Sequence, residues 1–129
     1  MAEPTKIELE YPIHVSPSLL YQYIATPSGM AEWFADNVNS RGEFFTFIWD
    51  GQEERAKIVK RIGDDRARFQ WERDADTKKY FELRIEIDEI TEDVSLIVTD
   101  FADDEDEVEE QEMFWEGQIT SLKKVLGSA

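Results

Sequence analysis

Residues 108–127 read VEEQEMFWEGQITSLKKVLG and carry the longest helical pattern in the chain. Its apolar positions recur at helical spacing and form one stripe of Val108, Trp115, Ile119, Leu122 and Leu126, with Phe114 and Val125 at the edge. Acidic residues precede the stripe and two lysines lie near its C-terminal end, which suits the dipole of a helix at both ends. Gly127 then ends the pattern. These features predict a long C-terminal helix with Trp115 and Leu122 buried.

The region before this helix alternates between apolar and polar residues, as antiparallel strands do. Strands are predicted at 6–13, 44–49, 52–62, 66–71, 80–87 and 94–101, in a meander that begins at Asn37 and turns at 41–42, 63–65 and 74–77. Asp50-Gly51 is the strongest turn signal, because a type I′ hairpin needs positive φ at both central positions. In such a hairpin Phe47 faces Glu54. The regular alternation predicts a sheet with one apolar face and one wet face.

Two short helices are predicted after the first strand. Ser16-Pro17 and Thr26-Pro27 each place a capping side chain before a proline, which is favoured in the first helical turn. The second helix carries Met30, Trp33 and Phe34 on one face, so that face is expected to be buried.

The predicted order is strand, two short helices, about six strands and a long terminal helix. An apolar sheet face must be covered, and only the terminal helix is long enough to cover it. We therefore predict an α+β fold in which a curved antiparallel sheet of six to seven strands wraps around the C-terminal helix. Residues 1–129 are expected to form a single domain, since the sequence shows no repeat and no linker.

Two segments carry a resemblance to a known superfamily. They are TPSGMAEWFAD at 26–36, and the closing helix with FWEG at 114–117 and SLKKVL at 121–126. Together with the element order, they resemble the helix-grip (START-like, SRPBCC) superfamily of START lipid-transfer domains and birch-pollen-allergen proteins, and within it homologues of the heat-shock-protein ATPase activator. The chain departs from that pattern in having few glycines around Asp50-Gly51 and a dense acidic segment before the last helix. The resemblance implies an apolar pocket between sheet and helix, but the superfamily includes carriers, cyclases, dehydratases and chaperone cofactors, so function stays open.

The net charge of −16 is concentrated in one segment. Nine acidic residues lie there: Asp100, Asp103, Asp104, Glu105, Asp106, Glu107, Glu109, Glu110 and Glu112. A field of this sign repels phosphate backbones and anionic membrane surfaces, so nucleic-acid binding is disfavoured. No apolar run approaches the length of a membrane span. The sequence contains no cysteine, so disulfides and thiol chemistry are excluded. A cytoplasmic location is the expectation.

The acidic stretch 100–112 has three interpretations. Carboxylates suit calcium, but the segment lacks the Asp-x-Asp-x-Asp-Gly spacing and any internal glycine, so no metal site is predicted. A solvated loop leading into the helix is preferred. The functional alternative is a docking site for a basic protein partner.

No catalytic constellation is recognisable. His14 is the only histidine and is predicted to lie exposed or in a turn, and no Ser-His-Asp arrangement or glycine-rich phosphate loop is present. Glu54 is the one inward carboxylate predicted by the hairpin register. We expect it at the open mouth of the sheet, since a buried carboxylate would need a partner.

Apolar and aromatic residues on the inward faces are the candidates for a ligand site. The predicted site comprises Trp33, Phe47, Trp49, Glu54, Phe69, Trp71, Phe81, Leu83, Trp115 and Ile119. These side chains can either line a cavity or fill the core, and the pattern alone leaves both open. The first hypothesis is a non-enzymatic domain that binds a small hydrophobic molecule such as a lipid, without a cofactor. The alternative is a co-chaperone-like or adaptor module that uses the acidic surface, and an enzyme of the cyclase or hydrolase kind is the third.

Overall fold

The computed structural model describes residues 3–60 and 65–127. The chain forms β1 (Thr5–Pro12), α1 (Pro17–Ala25), α2 (Pro27–Met30), β2 (Asn37–Arg41), β3 (Phe44–Trp49), β4 (Gln52–Lys60), β5 (Arg66–Trp71), β6 (Phe81–Ile87), β7 (Val94–Ala102) and α3 (Val108–Leu126). Short 3-10 turns at Glu72–Asp74 and Glu105–Glu107 precede β6 and α3. The predicted continuation of β4 to residue 62 and the turn residues 63–64 lie outside the described residues.

The seven strands form one antiparallel sheet in the order β1-β7-β6-β5-β4-β3-β2. The sheet curves around α3, which packs its apolar stripe against the inward face. Trp115, Ile119 and Leu122 are the buried residues of α3, and Gly127 ends the helix with a φ of 69°. The predicted α+β class, strand number and covering helix are confirmed.

The Asp50-Gly51 hairpin has the predicted geometry. Asp50 and Gly51 both have positive φ, 50° and 78°. The backbone N–H of Asp50 also donates to Asp36 Oδ2 at 2.8 Å, which ties the turn to the segment after α2. Phe47 lies opposite Glu54, so the predicted register is confirmed.

Both predicted helix caps are present. Ser16 Oγ accepts from Leu19 N at 3.2 Å, and Thr26 Oγ1 accepts from Gly29 N at 3.0 Å. Helix α2 is shorter than predicted and ends at Met30. Trp33 and Phe34 follow it in a turn and are nonetheless buried, as expected.

The outer face of the sheet is less uniformly wet than predicted. Glu82 points outward on β6 but is only 6% exposed, because the Arg68 guanidinium pairs with it at 3.1 Å. Arg68 in turn lies 4.0 Å over the ring of Tyr80. Ile87, predicted on the inward face of the same strand, is 49% exposed because it is the last residue of β6. The alternation therefore predicts which face of the sheet each side chain occupies. It does not predict how exposed Glu82 and Ile87 are.

Candidate functional site

A cavity of about 440 Å³ opens at one end of the helix–sheet interface. Strands β3 and β5 end there, β4 and β6 begin there, and β7 ends there before the chain turns into α3. The first two turns of α3 cover the opposite side. The antiparallel connections thus bring residues from distant parts of the chain to one edge of the sheet.

Aromatic side chains make up seven of the sixteen residues that line this cavity. Phe34 is at their centre, with its ring stacked on Phe81 at 5.6 Å and on Trp115 at 5.7 Å between centroids. Trp49 meets Phe34 edge to face at 5.4 Å, and its Nε1 donates to the Phe34 carbonyl at 2.8 Å. Phe34 therefore links several rings of the wall, and the Trp49 ring is held by a hydrogen bond to the Phe34 backbone.

The ten residues predicted for the site divide into three groups. Five of them line the cavity: Trp49, Glu54, Trp71, Phe81 and Trp115. Four others, Phe47, Phe69, Leu83 and Ile119, are at most 2% exposed and pack in the core behind it. Trp33 lies elsewhere, with Nε1 donating to the Tyr23 carbonyl at 2.8 Å, and borders a separate surface depression near the end of α3. The interior is thus a filled core for most of its length and an open cavity at one end.

The mouth of the cavity is ringed by paired charges. Arg73 Nη1 lies 2.9 Å from Glu54 Oε2, and the Glu54 side chain is 47% exposed. Lys79 Nζ lies 2.7 Å from Asp103 and 3.3 Å from Asp74. The hydrogen bond from Lys79 to Asp103 raises the pKa of the lysine. Glu54 is therefore a partnered rim residue, in agreement with its expected place at the mouth.

Asp100 is the inner polar group of the cavity and is absent from the residues predicted for the site. Its Oδ2 accepts from Trp115 Nε1 at 2.7 Å and from Gln111 Nε2 at 3.0 Å, and its Oδ1 accepts from the Phe101 backbone N–H at 2.8 Å. Burial raises the pKa of the Asp100 carboxyl, while the hydrogen bond from Trp115 acts in the opposite direction. A carboxylate is thus held rigidly at the base of an aromatic cavity.

A signal for Asp100 exists in the sequence. Asp100 shares the inward face of β7 with Leu96 and Val98, because side chains at alternate positions point the same way. When Asp100 is grouped with the acidic residues that follow it, its place in the alternation of β7 is overlooked. The stretch is consequently not one solvated loop: Asp100 and Asp103 belong to the cavity, and Asp104 caps the turn before α3 by accepting from Glu107 N at 3.1 Å.

The remaining candidate features lie away from the cavity or are missing from the described part of the chain. His14 follows β1 and is exposed, as predicted. It is not among the residues that line the cavity. Within residues 3–60 and 65–127, no group of three His, Asp or Glu side chains is placed to hold a metal ion. Among the helices described there, none is long and apolar enough to cross a membrane.

Comparison with known proteins identifies the class of this domain. A family model described as a START-like superfamily domain matches residues 1–128, so the chain belongs to the START-like superfamily and the predicted membership is confirmed. Domains of this superfamily generally bind small ligands or proteins and are generally non-enzymatic. No curated protein matches the sequence.

Several solved structures share the fold. The protein BfR322 from Bacteroides fragilis is 32% identical, with a TM-score of 0.69 over 97% of this chain and 93% of that one. The Aha1 dimer from Colwellia psychrerythraea is 19% identical, with a TM-score of 0.77 over 95% and 96%. The protein SSP2350 from Staphylococcus saprophyticus is 14% identical, with a TM-score of 0.76 over 95% and 92%. The last two similarities concern the fold alone.

Proposed function

We propose that this domain binds a small, largely apolar ligand in the cavity between the first turns of α3 and the adjoining end of the sheet. The observation that carries the proposal is the cavity itself, about 440 Å³, in which seven of the sixteen lining residues are aromatic. Ligand pockets in proteins commonly span about 300–1,000 Å³ and combine apolar walls with a few fixed polar groups. Asp100 and Gln111 supply such groups at the inner end.

Binding without catalysis is favoured by the state of the charged side chains around the cavity. Arg73 and Glu54 neutralise each other, and Lys79 is paired with both Asp74 and Asp103. Asp100 accepts three hydrogen bonds within the protein. Groups held in this way are suited to positioning a ligand within the pocket.

The test is a screen of fatty acids, sterols, isoprenoids and aromatic metabolites by thermal shift and intrinsic fluorescence. Trp49, Trp71 and Trp115 all line the cavity, so a bound ligand is expected to change tryptophan emission saturably. It is also expected to raise Tm as the ligand concentration exceeds Kd. No saturable change with any class would remove the support for the proposal.

A matched pair of variants on α3 locates the binding. Phe114 lines the cavity and is 43% exposed, whereas its neighbour Met113 is 67% exposed and does not line it. Phe114→Ala is therefore expected to weaken a ligand from the screen about tenfold, the loss expected for a ring contact worth roughly 1.4 kcal/mol. Met113→Ala should leave affinity unchanged. Equal effects of the two changes would place the ligand elsewhere.

An adaptor function is the second candidate, and the exposed part of α3 favours it. Met113 and Phe114 are exposed apolar side chains on a helix whose neighbouring positions, Glu109, Glu110, Glu112 and Glu116, are acidic. A basic amphipathic peptide could pair its charges with those carboxylates and cover both apolar side chains. Such binding, tested with a lysine–leucine amphipathic peptide, should weaken with salt and with Met113→Ala. Affinity that is insensitive to both would remove this candidate.

A further inference from the structure

The cavity lining carries an excess of negative charge. Five of its residues are acidic and two are basic, so its formal charge is −3. Both cations lie at the mouth, where Arg73 pairs with Glu54 and Lys79 pairs with Asp74 and Asp103. The inner end of the cavity therefore has carboxylate without a cation beside it.

Asp100 defines that inner end. In the described part of the chain no lysine or arginine nitrogen forms an ion pair with it, and its hydrogen-bond donors are the neutral groups of Trp115, Gln111 and the Phe101 backbone. Arg73 acts on Asp100 only through its field, which opposes the field of Asp74. A buried carboxylate is stabilised by an opposite charge within a few ångströms, and the cavity is the side from which one can arrive.

The walls of the cavity also suit a cation. The face of an aromatic ring is electronegative, and Trp71 already has the Arg73 guanidinium 4.9 Å over its ring. Phe81 and Trp115 stand between that ring and Asp100, with centroids 5.2 Å apart for Trp71 and Phe81 and 5.8 Å apart for Phe81 and Trp115. Phe81 and Trp115 are each 1% exposed, so Trp71 and Phe114 offer the ring surface on which an apolar body can pack while its charged end meets the carboxylate.

We propose that the cavity selects organic cations, namely ring-containing amines whose ammonium group pairs with Asp100 while the ring system packs on Trp71 and Phe114. This inference rests on the proposed ligand-binding function and specifies the chemical class of its ligand. An anion of the same shape would face the carboxylates at the base of the cavity, and a neutral molecule would gain only the ring contacts.

Three naphthalene compounds of nearly equal shape test the charge preference. Naphthalen-1-ylmethanamine is a cation at pH 7, naphthalen-1-ylmethanol is neutral and 1-naphthoate is an anion. Titration calorimetry at low salt should give the amine a Kd at least about tenfold lower than that of the alcohol, the gain expected of a charge-assisted hydrogen bond. The naphthoate should bind most weakly, and 0.5 M NaCl should reduce the preference for the amine because salt screens it.

Charge-neutral variants assign the preference to the cavity. Asp100→Asn should remove most of the preference for the amine, and Asp74→Asn should reduce it in part because Asp74 lies nearer the mouth and is paired with Lys79. Glu110→Gln is the matched control, since it removes one negative charge from the same acidic stretch at an exposed position that does not line the cavity. The Nε1–H NMR signal of Trp115 reports whether each variant keeps its fold and whether the amine reaches the inner end.

The outcomes separate the two proposals. If the alcohol or the naphthoate binds as tightly as the amine, and Phe114→Ala weakens that binding, the cavity is a ligand site without cation selectivity and this inference is wrong. If Glu110→Gln lowers the preference as much as Asp100→Asn does, the preference comes from the overall charge of the protein and the inference is also wrong. If none of the three compounds binds while a neutral ligand from the screen does, only the cation proposal is overturned. If nothing binds at all, both are overturned.

Discussion

Asp100 and Asp88 are two aspartates whose surroundings shift the carboxyl pKa in opposite directions. Burial raises the pKa of Asp100 above the ordinary value of 3.8. Backbone hydrogen bonds from Thr91 and Ile90 lower the pKa of Asp88, which is exposed in the β6–β7 turn. Since both groups are aspartates in one molecule, a single carboxyl-carbon NMR titration compares them directly. We expect the Asp100 midpoint above 3.8 and the Asp88 midpoint below it; the reverse order would contradict the placement of Asp100 in the cavity.

The shift at Asp100 has a consequence for stability. A carboxyl whose pKa is higher in the folded than in the unfolded chain binds a proton more readily when folded, so it stabilises the fold below the unfolded pKa. That contribution is lost as pH rises through the folded pKa. The free energy of unfolding of the wild type relative to Asp100→Asn should therefore increase as pH falls toward 3.8. A difference that stays constant or decreases with falling pH would contradict this.

Trp115 connects the covering helix to both the core and the cavity. It is 1% exposed, packs against Phe34 and Phe81, and donates to Asp100. Trp115→Ala is expected to lower the free energy of unfolding by about 3–5 kcal/mol, the range for removing a large buried side chain. Met113→Ala, two positions earlier on an exposed face of the same helix, should change it by less than about 0.5 kcal/mol. Urea denaturation measures both, and a loss below about 1 kcal/mol at Trp115 would mean that α3 does not close the core.

At the scale of elements, the junction of α1 and α2 depends on Gly29. A Cβ at this position would overlap the carbonyl oxygen of Gln22 and approach the Cα of Tyr23 to 2.7 Å. Thr26 holds the two helices at this distance, since its Oγ1 donates to Gln22 O at 2.6 Å and accepts from Gly29 N. Trp33 and Phe34 follow in the turn after α2 and are both buried. Gly29 is therefore required for its size and not for its backbone angles.

Two glycine-to-alanine changes test this requirement. Gly29→Ala should lower the free energy of unfolding by about 1–3 kcal/mol, because backbone must move to admit the methyl group. Gly117→Ala is the control: Gly117 lies within α3 with nothing within 4 Å of the added Cβ. There alanine should raise stability by about 0.5–1 kcal/mol through its higher helix propensity. Tm measurements on both should move in opposite directions, and a neutral Gly29→Ala would mean that the helices can separate without cost.

Charge acts at the scale of the whole molecule. A net charge of −16 on 129 residues destabilises a compact state through self-repulsion, and salt reduces that repulsion. Raising NaCl from 0.01 M to 0.5 M shortens the screening length from about 30 Å to a few ångströms. We expect a gain on the order of 1 kcal/mol, or about 4 °C in Tm for a domain of this size. A Tm that falls or does not change would contradict this expectation.

Divalent ions separate screening from site binding. MgCl2 and CaCl2 at equal ionic strength should shift Tm equally, because no group of three ligating side chains is placed to hold a metal within the described ranges. A rise specific to calcium would indicate a metal site in the acidic stretch.

Local patterns in the sequence predict most of the elements, although α2 ends earlier than its apolar spacing indicates. The Asp50-Gly51 turn, the caps at Ser16 and Thr26, and the apolar stripe around Trp115 each depend on residues a few positions apart. Once the turn is placed at Asp50-Gly51, counting residues outward from it along both strands pairs Phe47 with Glu54. The START-like fold is accessible for the same reason, since the sheet has one apolar face and the chain has one helix long enough to cover it.

The tertiary structure alone decides where the core stops and the cavity begins. Phe47 and Phe81 have the same inward periodicity, yet Phe47 lies wholly within the packed core while Phe81 also lines the cavity at the end of the sheet. Arg73, Lys79 and Asp100 meet there although the first two come from the connection between β5 and β6 and Asp100 comes from the end of β7. Periodicity determines which face of a strand a side chain occupies; which residues share a cavity depends on the curvature of the sheet and the position of the helix across it, which are properties of the assembled chain.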